Sequence, residues 1–267
     1  MNKAEAALYE FNEMNELADR SSPVHRLPAI SKFLVTITYL VTLMSFGRYD
    51  FTGVLCMAVY PWITFQLCAI PFKTCLKKIR ILIPFVILAG IFNPLFDTEI
   101  CVSFGWFYLS FGWMSFIVLA VKGVLALIAA FLLVSTTKID MLCAAMRRLH
   151  IPSMLVTLFL LTYRYISVLT EEVAVMSDAY HLRAPKQKGI HISAWGSFFG
   201  QLLLRTMDKA QALYTSMELR GFQGEFPVQR EDPMTLYGIL WILCWITYFV
   251  IFRFADVGAL IVNPFMG

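Results

Sequence analysis

The chain has 267 residues, of which 59% are hydrophobic and 15% charged, and its 22 Lys and Arg against 18 Asp and Glu give a formal net charge of +4. Soluble domains carry about 25% charged residues, so this balance, together with a mean hydropathy of +0.69, excludes an ordinary soluble domain and specifies an integral membrane protein. The excess of positive charge is small, and the expected surroundings are the lipid bilayer and other proteins, with no nucleic acid.

Residues 1–28 carry Glu5, Glu10, Glu13, Glu16 and Asp19. They lack the basic and apolar regions of a signal peptide, so they are expected to remain as a cytoplasmic N-terminal arm. Leu8, Phe11 and Leu17 suit a short amphipathic helix, and a solvated terminal arm is the alternative. Five apolar runs follow at 30–46, 51–70, 79–96, 113–134 and 234–252, each near the length that crosses about 30 Å of hydrocarbon. Residues 154–165 are apolar but too short to cross alone, and 259–265 are left unassigned.

Basic residues in short loops stay on the cytoplasmic side. Lys73, Lys77, Lys78 and Arg80 crowd the second loop, whereas loop 97–112 has Asp97 and Glu99 and no Lys or Arg. The N-terminus is therefore expected inside, and four spans later residues 138–233 are inside as well. In loop 97–112, Val102, Phe104, Trp106 and Tyr108 alternate with other residues as in an extracytoplasmic hairpin or short strand; the aromatic residues serve either as interfacial anchors or in ligand binding. Lys122 interrupts the fourth span. An intramembrane charge is a functional candidate, but this one has no obvious carboxylate partner, so snorkelling or a backbone carbonyl accounts for it equally well.

The stretch 158–222 mixes charge with helical periodicity and is written twice. In the first copy Leu161, Tyr165, Val168, Val175, Ala179 and Leu182 form one helical stripe, broken at Glu172. In the second, Leu203, Met207, Ala210, Tyr214 and Met217 run 4,3,4,3, with Arg205, Asp208, Lys209, Gln211 and Glu218 on the other face. That pattern is an amphipathic helix able to lie along a bilayer or pack on its twin. The first copy closes on Leu182-Arg183-Ala184 before Pro185 and the second on Leu219-Arg220-Gly221, the two arginines 37 positions apart. Gly221 suits a helix C-cap and Pro185 a helix stop, which puts both arginines at helix tips. An arginine there either complements the helix dipole or offers its planar fork of donors to a partner's carboxylate or carbonyl. The repetition favours docking.

The six cysteines are scattered, without C-x-x-C or histidine at ligand spacing, so neither a disulfide framework nor a metal site is indicated. No G-x-x-x-x-G-K-[ST], G-x-S-x-G or H-E-x-x-H is present, and the chain is expected to do no catalysis of its own.

Ala144-Ala145-Met146-Arg147-Arg148-Leu149-His150-Ile151-Pro152, Leu160-Leu161-Thr162-Tyr163-Arg164-Tyr165, Glu171-Glu172, Leu203-Leu204-Arg205-Thr206 and Met217-Glu218-Leu219-Arg220-Gly221-Phe222 resemble the transmembrane coupling subunit of energy-coupling factor transporters, in its cobalt-type (CbiQ) branch. The resemblance covers most of the chain from about Ile30 and is densest between Ser135 and Phe222. It implies an all-α polytopic membrane protein with about five transmembrane helices and two long cytoplasmic coupling helices. The implied parts are the arm at 1–28, four membrane helices within 29–135, the coupling-helix domain at 136–233, and the last membrane helix with its tail at 234–267.

The resemblance further implies an ATP-driven importer in a bacterial or archaeal plasma membrane, most simply for cobalt and cobalamin biosynthesis, with nickel or a vitamin as alternatives. Each coupling helix would end in an Ala-Arg-Gly-like motif docking in one of two CbiO-like ATPase subunits. The motif residues here are Ala179, Leu182, Arg183 and Ala184, and Met217, Leu219, Arg220 and Gly221. The first copy lacks the family's glycine and the second has Leu219 in place of alanine. A CbiM-like substrate-binding membrane subunit would pack elsewhere, with a small CbiN-like accessory subunit as a further partner. ATP would sit on the ATPases and cobalt on the substrate-binding subunit, leaving no cofactor for this chain. A secondary transporter would instead show inverted repeats and paired midplane charges, and a membrane enzyme clustered His, Asp or Glu.

Overall fold

A computed structural model describes residues 13, 16–18, 22–68, 72–91, 100–104, 107–185, 187, 189–224 and 234–254. The elements are α1 (Ala29–Ser45), α2 (Phe51–Met57), α3 (Val59–Cys68), α4 (Phe72–Gly90), β1 (Ile100–Phe104), β2 (Phe107–Ser110), α5 (Phe111–Thr136), α6 (Ile139–Arg148), α7 (Ser153–Arg183), α8 (Ile192–Leu219) and α9 (Leu236–Phe254). The protein is a helical polytopic membrane protein. Its two short strands pair antiparallel, Phe104 opposite Phe107, as the alternation in that loop predicts. The tail at 259–265, most of the N-terminal arm and the side chains of 101–110, Cys101 among them, lie outside the described residues.

Among the described residues, four helical stretches are long and apolar enough to cross a bilayer: Phe51–Cys68, Gly112–Thr136, Ser153–Arg183 and Leu236–Phe254. Apolar α1 has 17 residues, about 26 Å of helix. Within the second run, the described residues 51–68 are helical except for a turn at Ala58. Pro61 explains the break, because without an N–H it cannot continue the ladder back to Met57.

Two expectations need correction. The cluster Lys73, Lys77, Lys78 and Arg80 lies on the first turns of α4, which starts at Phe72. Lysine and arginine are good helix formers, so the charge that ends an apolar run does not end the helix. Residues 154–165 are not an isolated short run either, but the start of α7, whose 31 residues reach about 46 Å.

The described residues fall into two compact units, Leu17–Lys138 with Glu231–Gly267, and Met1–Glu16 with Ile139–Arg230. The core of the first is built by α1, α2, α3, α5 and α9 around Val35, Tyr39, Leu43, Met57, Tyr60, Leu125, Trp245 and Phe249. Tyr39, Tyr60, Trp245 and Phe249 pack ring to ring, with centroids 4.7–5.8 Å apart, a separation at which aromatic pairs attract beyond simple area burial. α4 lies on α5 through small residues. A Cβ on Gly123 would stand 2.7 Å from Val86 Cγ1, and one on Gly90 2.8 Å from Phe116, so both glycines are there for close approach.

Two buried lysines set helix direction in this unit. Lys32, near the start of α1, donates from Nζ to the Thr136 carbonyl at the end of α5 at 2.6 Å. Lys122, within α5, donates to the Phe46 and Gly47 carbonyls just past α1 at 2.6 and 3.2 Å. Neither α1 nor α5 has a basic residue in its own last turn, so each supplies the cation that the other's orphan carbonyls lack. The contacts make α1 and α5 antiparallel. Lys122 thus meets backbone carbonyls, one of the two uses open in the sequence. α9 runs parallel to α1: its Gly238 lies against Pro28 and Ser31, and Arg253 donates to Ser45 at its far end. The chain therefore enters α1, leaves α5 and returns into α9 on one face of this unit.

In the other unit α6 packs on α7 through Cys143, Val156 and Leu160, with Ile139, Met146 and Ile151 around them. The Arg164 guanidinium donates to Asp140 at 3.4 Å beside that core. α6 ends in a Schellman turn. The Ile151 N–H reaches the Met146 carbonyl and the His150 N–H the Arg147 carbonyl, with His150 left-handed at φ 61. Non-glycine residues seldom take that conformation; the packing of Met146 and Ile151 on one core holds it here.

Candidate functional site: two helix ends and the clasp between them

The break in the first apolar stripe is where the two long helices meet. The partly buried Glu172 on α7 accepts one hydrogen bond from Arg205 and another from Lys209 at 2.5 Å, both on α8. Lys209 and then Arg205 hold the Glu172 carboxyl below the usual carboxylate range. The C-terminal half of α7, with Glu171, Glu172, Asp178 and Arg183, is too charged to sit in hydrocarbon, so this clasp lies outside the membrane-spanning segments.

A second fastening holds the connection between the helices. Tyr180, in the last turn of α7, donates from its hydroxyl to Gln187 at 2.7 Å and accepts from the His191 N–H at 3.3 Å. His191 is itself the N-cap of α8, its Nδ1 accepting from the Ser193 N–H. The start of α8 is therefore tied beside the end of α7. From there α8 runs 28 residues, about 42 Å, to its own tip.

The expected motif residues sit at the two far ends of this pair. α7 stops at Arg183, and the Ala184 N–H closes the last turn on the Tyr180 carbonyl at 3.0 Å. α8 stops at Leu219 with Arg220 as its cap. The Phe222 N–H reaches the Met217 carbonyl at 3.0 Å and the Gly221 N–H the Glu218 carbonyl at 2.9 Å, the two bonds of a Schellman motif. Gly221 has φ +79 with nothing near its missing Cβ, so it is required by conformation and not by crowding.

Ala179, Arg183, Gly221 and Arg220 are exposed, Ala184 and Met217 partly so. Leu182 and Leu219 are 84% and 85% exposed. Two such leucines, each beside an arginine at a helix tip, form small apolar and cationic points that the chain itself leaves uncovered. The structure does not bring the two arginines together. Arg183 lies eleven residues past Glu172, and Arg220 eleven past Lys209 and fifteen past Arg205, so the tips end arms of roughly 16 Å and roughly 16–22 Å measured from one clasp.

The stripe of the second copy also stays open. Leu203, Met207 and Tyr214 are 60–63% exposed, and Trp195 and Phe199 extend the same face. Of the two uses open in the sequence, packing on the twin helix is excluded, because the seam of α8 against α7 is the polar one centred on Glu172. The clasp escaped sequence reading because its three residues are 33 and 37 positions apart; the local hints were Arg205 and Lys209 at i, i+4 in the second copy and the Glu172 that breaks the stripe of the first. Among the described residues no three of His, Cys, Asp and Glu come together as a metal group would need.

A family profile described as CbiQ, cobalt transport protein, matches residues 20–231. The chain belongs to the CbiQ family. Both helix tips, the clasp and the two buried lysines lie within the matched stretch, and α9 lies beyond it. The chain is 34% identical over 104 residues to the cobalt transport protein CbiQ of Rhodobacter capsulatus, covering 38% of this chain and 42% of that one. It is 30% identical over 91 residues to the nickel permease LarQ of Lactiplantibacillus plantarum, covering 34% and 33%. The matched segments thus span less than half the length of either relative.

Proposed function

We propose that the chain is the transmembrane coupling subunit of an ATP-driven importer of cobalt ions, carrying the motion of two ABC-type ATPase subunits to a substrate-binding membrane subunit. The observation that carries this reading is the pair of exposed Leu-Arg tips at the ends of two arms joined at one clasp. Two spaced, similar tips suit two copies of one docking groove. The ATPases bind at Arg183 and Arg220, and the substrate-binding subunit covers the open stripe of α8 from Trp195 to Tyr214. A small accessory subunit completes the assembly. The chain hydrolyses nothing and holds no cofactor; ATP and the cobalt ion sit on its partners.

The protein spans the bacterial or archaeal plasma membrane with its N-terminus and helix pair in the cytoplasm. The common face of α1, α5 and α9 supports putting the N-terminus and the exits to the helix pair on one side. The basic first turns of α4 support that side being the cytoplasm. Nickel is a second reading of the substrate, favoured by the likeness to the nickel permease; sequencing of neighbouring genes and metal uptake by the reconstituted complex separate the two.

The test is capture of tagged ATPase subunits. Arg183→Ala and Arg220→Ala should each weaken association by roughly 2–5 kcal/mol, because the groove's polar groups lose a charge-assisted partner. Arg→Lys should restore it only in part, and the double alanine variant should capture none. If the double variant captured ATPase like the unmodified protein, docking at these tips would be ruled out.

A further inference from the structure

The chain passes from one compact unit to the other at Lys138, two residues after α5 ends at Thr136. That last turn is secured from inside the bundle. The Thr136 hydroxyl donates to the Leu132 carbonyl at 2.7 Å, and Lys32, 5% exposed, caps the Thr136 carbonyl at 2.6 Å. The corresponding end of α1 is held twice over, by Lys122 and by Arg253, which donates to Ser45 and lies 5.5 Å from the Phe46 ring. Ser135 and Thr137, on either side of Thr136, are buried as well.

We propose that Lys32 is a positioning residue for coupling: by capping Thr136 it fixes the last turn of α5 to α1 and confines bending of the chain to Thr137 and Lys138. A displacement entering through α6 then turns about a short pivot and is not lost in fraying of α5. A buried ammonium on a terminal carbonyl suits this task, because a charge-assisted bond in low dielectric is strong, while losing it leaves the carbonyl uncompensated.

The experiment compares Lys32→Met, Lys122→Met and the unmodified chain, each in the full complex with its ATPases and substrate-binding subunit in nanodiscs. Amide hydrogen exchange at 133–138 should rise by about tenfold in Lys32→Met, with the rest of the bundle unchanged, and should not rise in Lys122→Met. Transport per ATP hydrolysed should fall about fivefold or more in Lys32→Met at unchanged subunit capture, a readout that fold stability alone does not move. Unchanged exchange at 133–138, a rise spread evenly through the bundle, or an unaltered transport-to-ATP ratio would each overturn the assignment. The coupling arm rests on the function proposed above. If the unmodified complex showed no ATP-driven transport, that function would fail, while the exchange arm would still decide whether Lys32 fixes the pivot.

Discussion

At Gly221 a single backbone angle decides whether Arg220 is presented. With φ at +79 and open space around it, Gly221→Ala meets no clash but costs about 1 kcal/mol of left-handed strain. Its effect should appear as fraying of the α8 tip and roughly fivefold weaker ATPase capture, with Gly221→Asn between the two because asparagine tolerates that conformation. Glu172 acts through charge. Its carboxyl is held down by Lys209 and Arg205, so the stabilisation it gives is present above the ordinary carboxylate pKa of about 4.3 and is lost only as pH falls through its lower folded value. In a His191→Asn background, where no imidazole caps α8, protease cleavage within 184–191 should therefore be constant from about pH 5.5 to 8. Adding Glu172→Gln, where the clasp loses its charge, should make cleavage faster and less sensitive to salt; a steep change across that pH range in the His191→Asn background alone would contradict the assignment.

At the scale of elements, the α4–α5 contact is the tightest test of the bundle. Gly123→Ala would drive a Cβ to 2.7 Å from Val86 Cγ1, and a helical valine has one favoured rotamer, so the helices must part. A loss of about 1–3 kcal/mol is expected, read as a lower melting temperature in detergent. The positions of the helices were legible in the sequence because apolar length and period reflect local constraints: α1, α5 and α9 lie within two or three residues of the runs at 30–46, 113–134 and 234–252. Both helix tips were legible for the same reason, since Gly221 and Pro185 act on their own neighbours. What composition hid was continuity: α4 begins in its lysines and α7 in a run too short to stand alone, because a helix continues wherever hydrogen bonds do, regardless of polarity. The clasp and the lysine caps were hidden more deeply. Lys32 and Thr136 are 104 positions apart, and no periodicity reports a contact that only folding creates.

For the whole molecule, the common face of α1, α5 and α9 makes topology testable. A cysteine replacing Ser193 should react with a membrane-impermeant reagent only from the cytoplasmic side, and one replacing Ser110, in β2, only from outside. Labelling of both from one side would require an odd change in the number of crossings between them. The open face of α8 has a consequence for the life of the protein in the cell. Trp195, Phe199, Leu203, Met207 and Tyr214 stand 41–63% exposed along one helix, and an apolar strip of that kind draws chaperones, proteases and other copies of itself until something covers it. A chain synthesised ahead of its partners would be short-lived, and the amount that survives would follow the supply of the subunit that shields the strip. Balanced synthesis, as from one transcript encoding all subunits, would then be a requirement imposed by the surface of α8, and removing the shielding subunit should shorten the chain's half-life in a pulse-chase measurement.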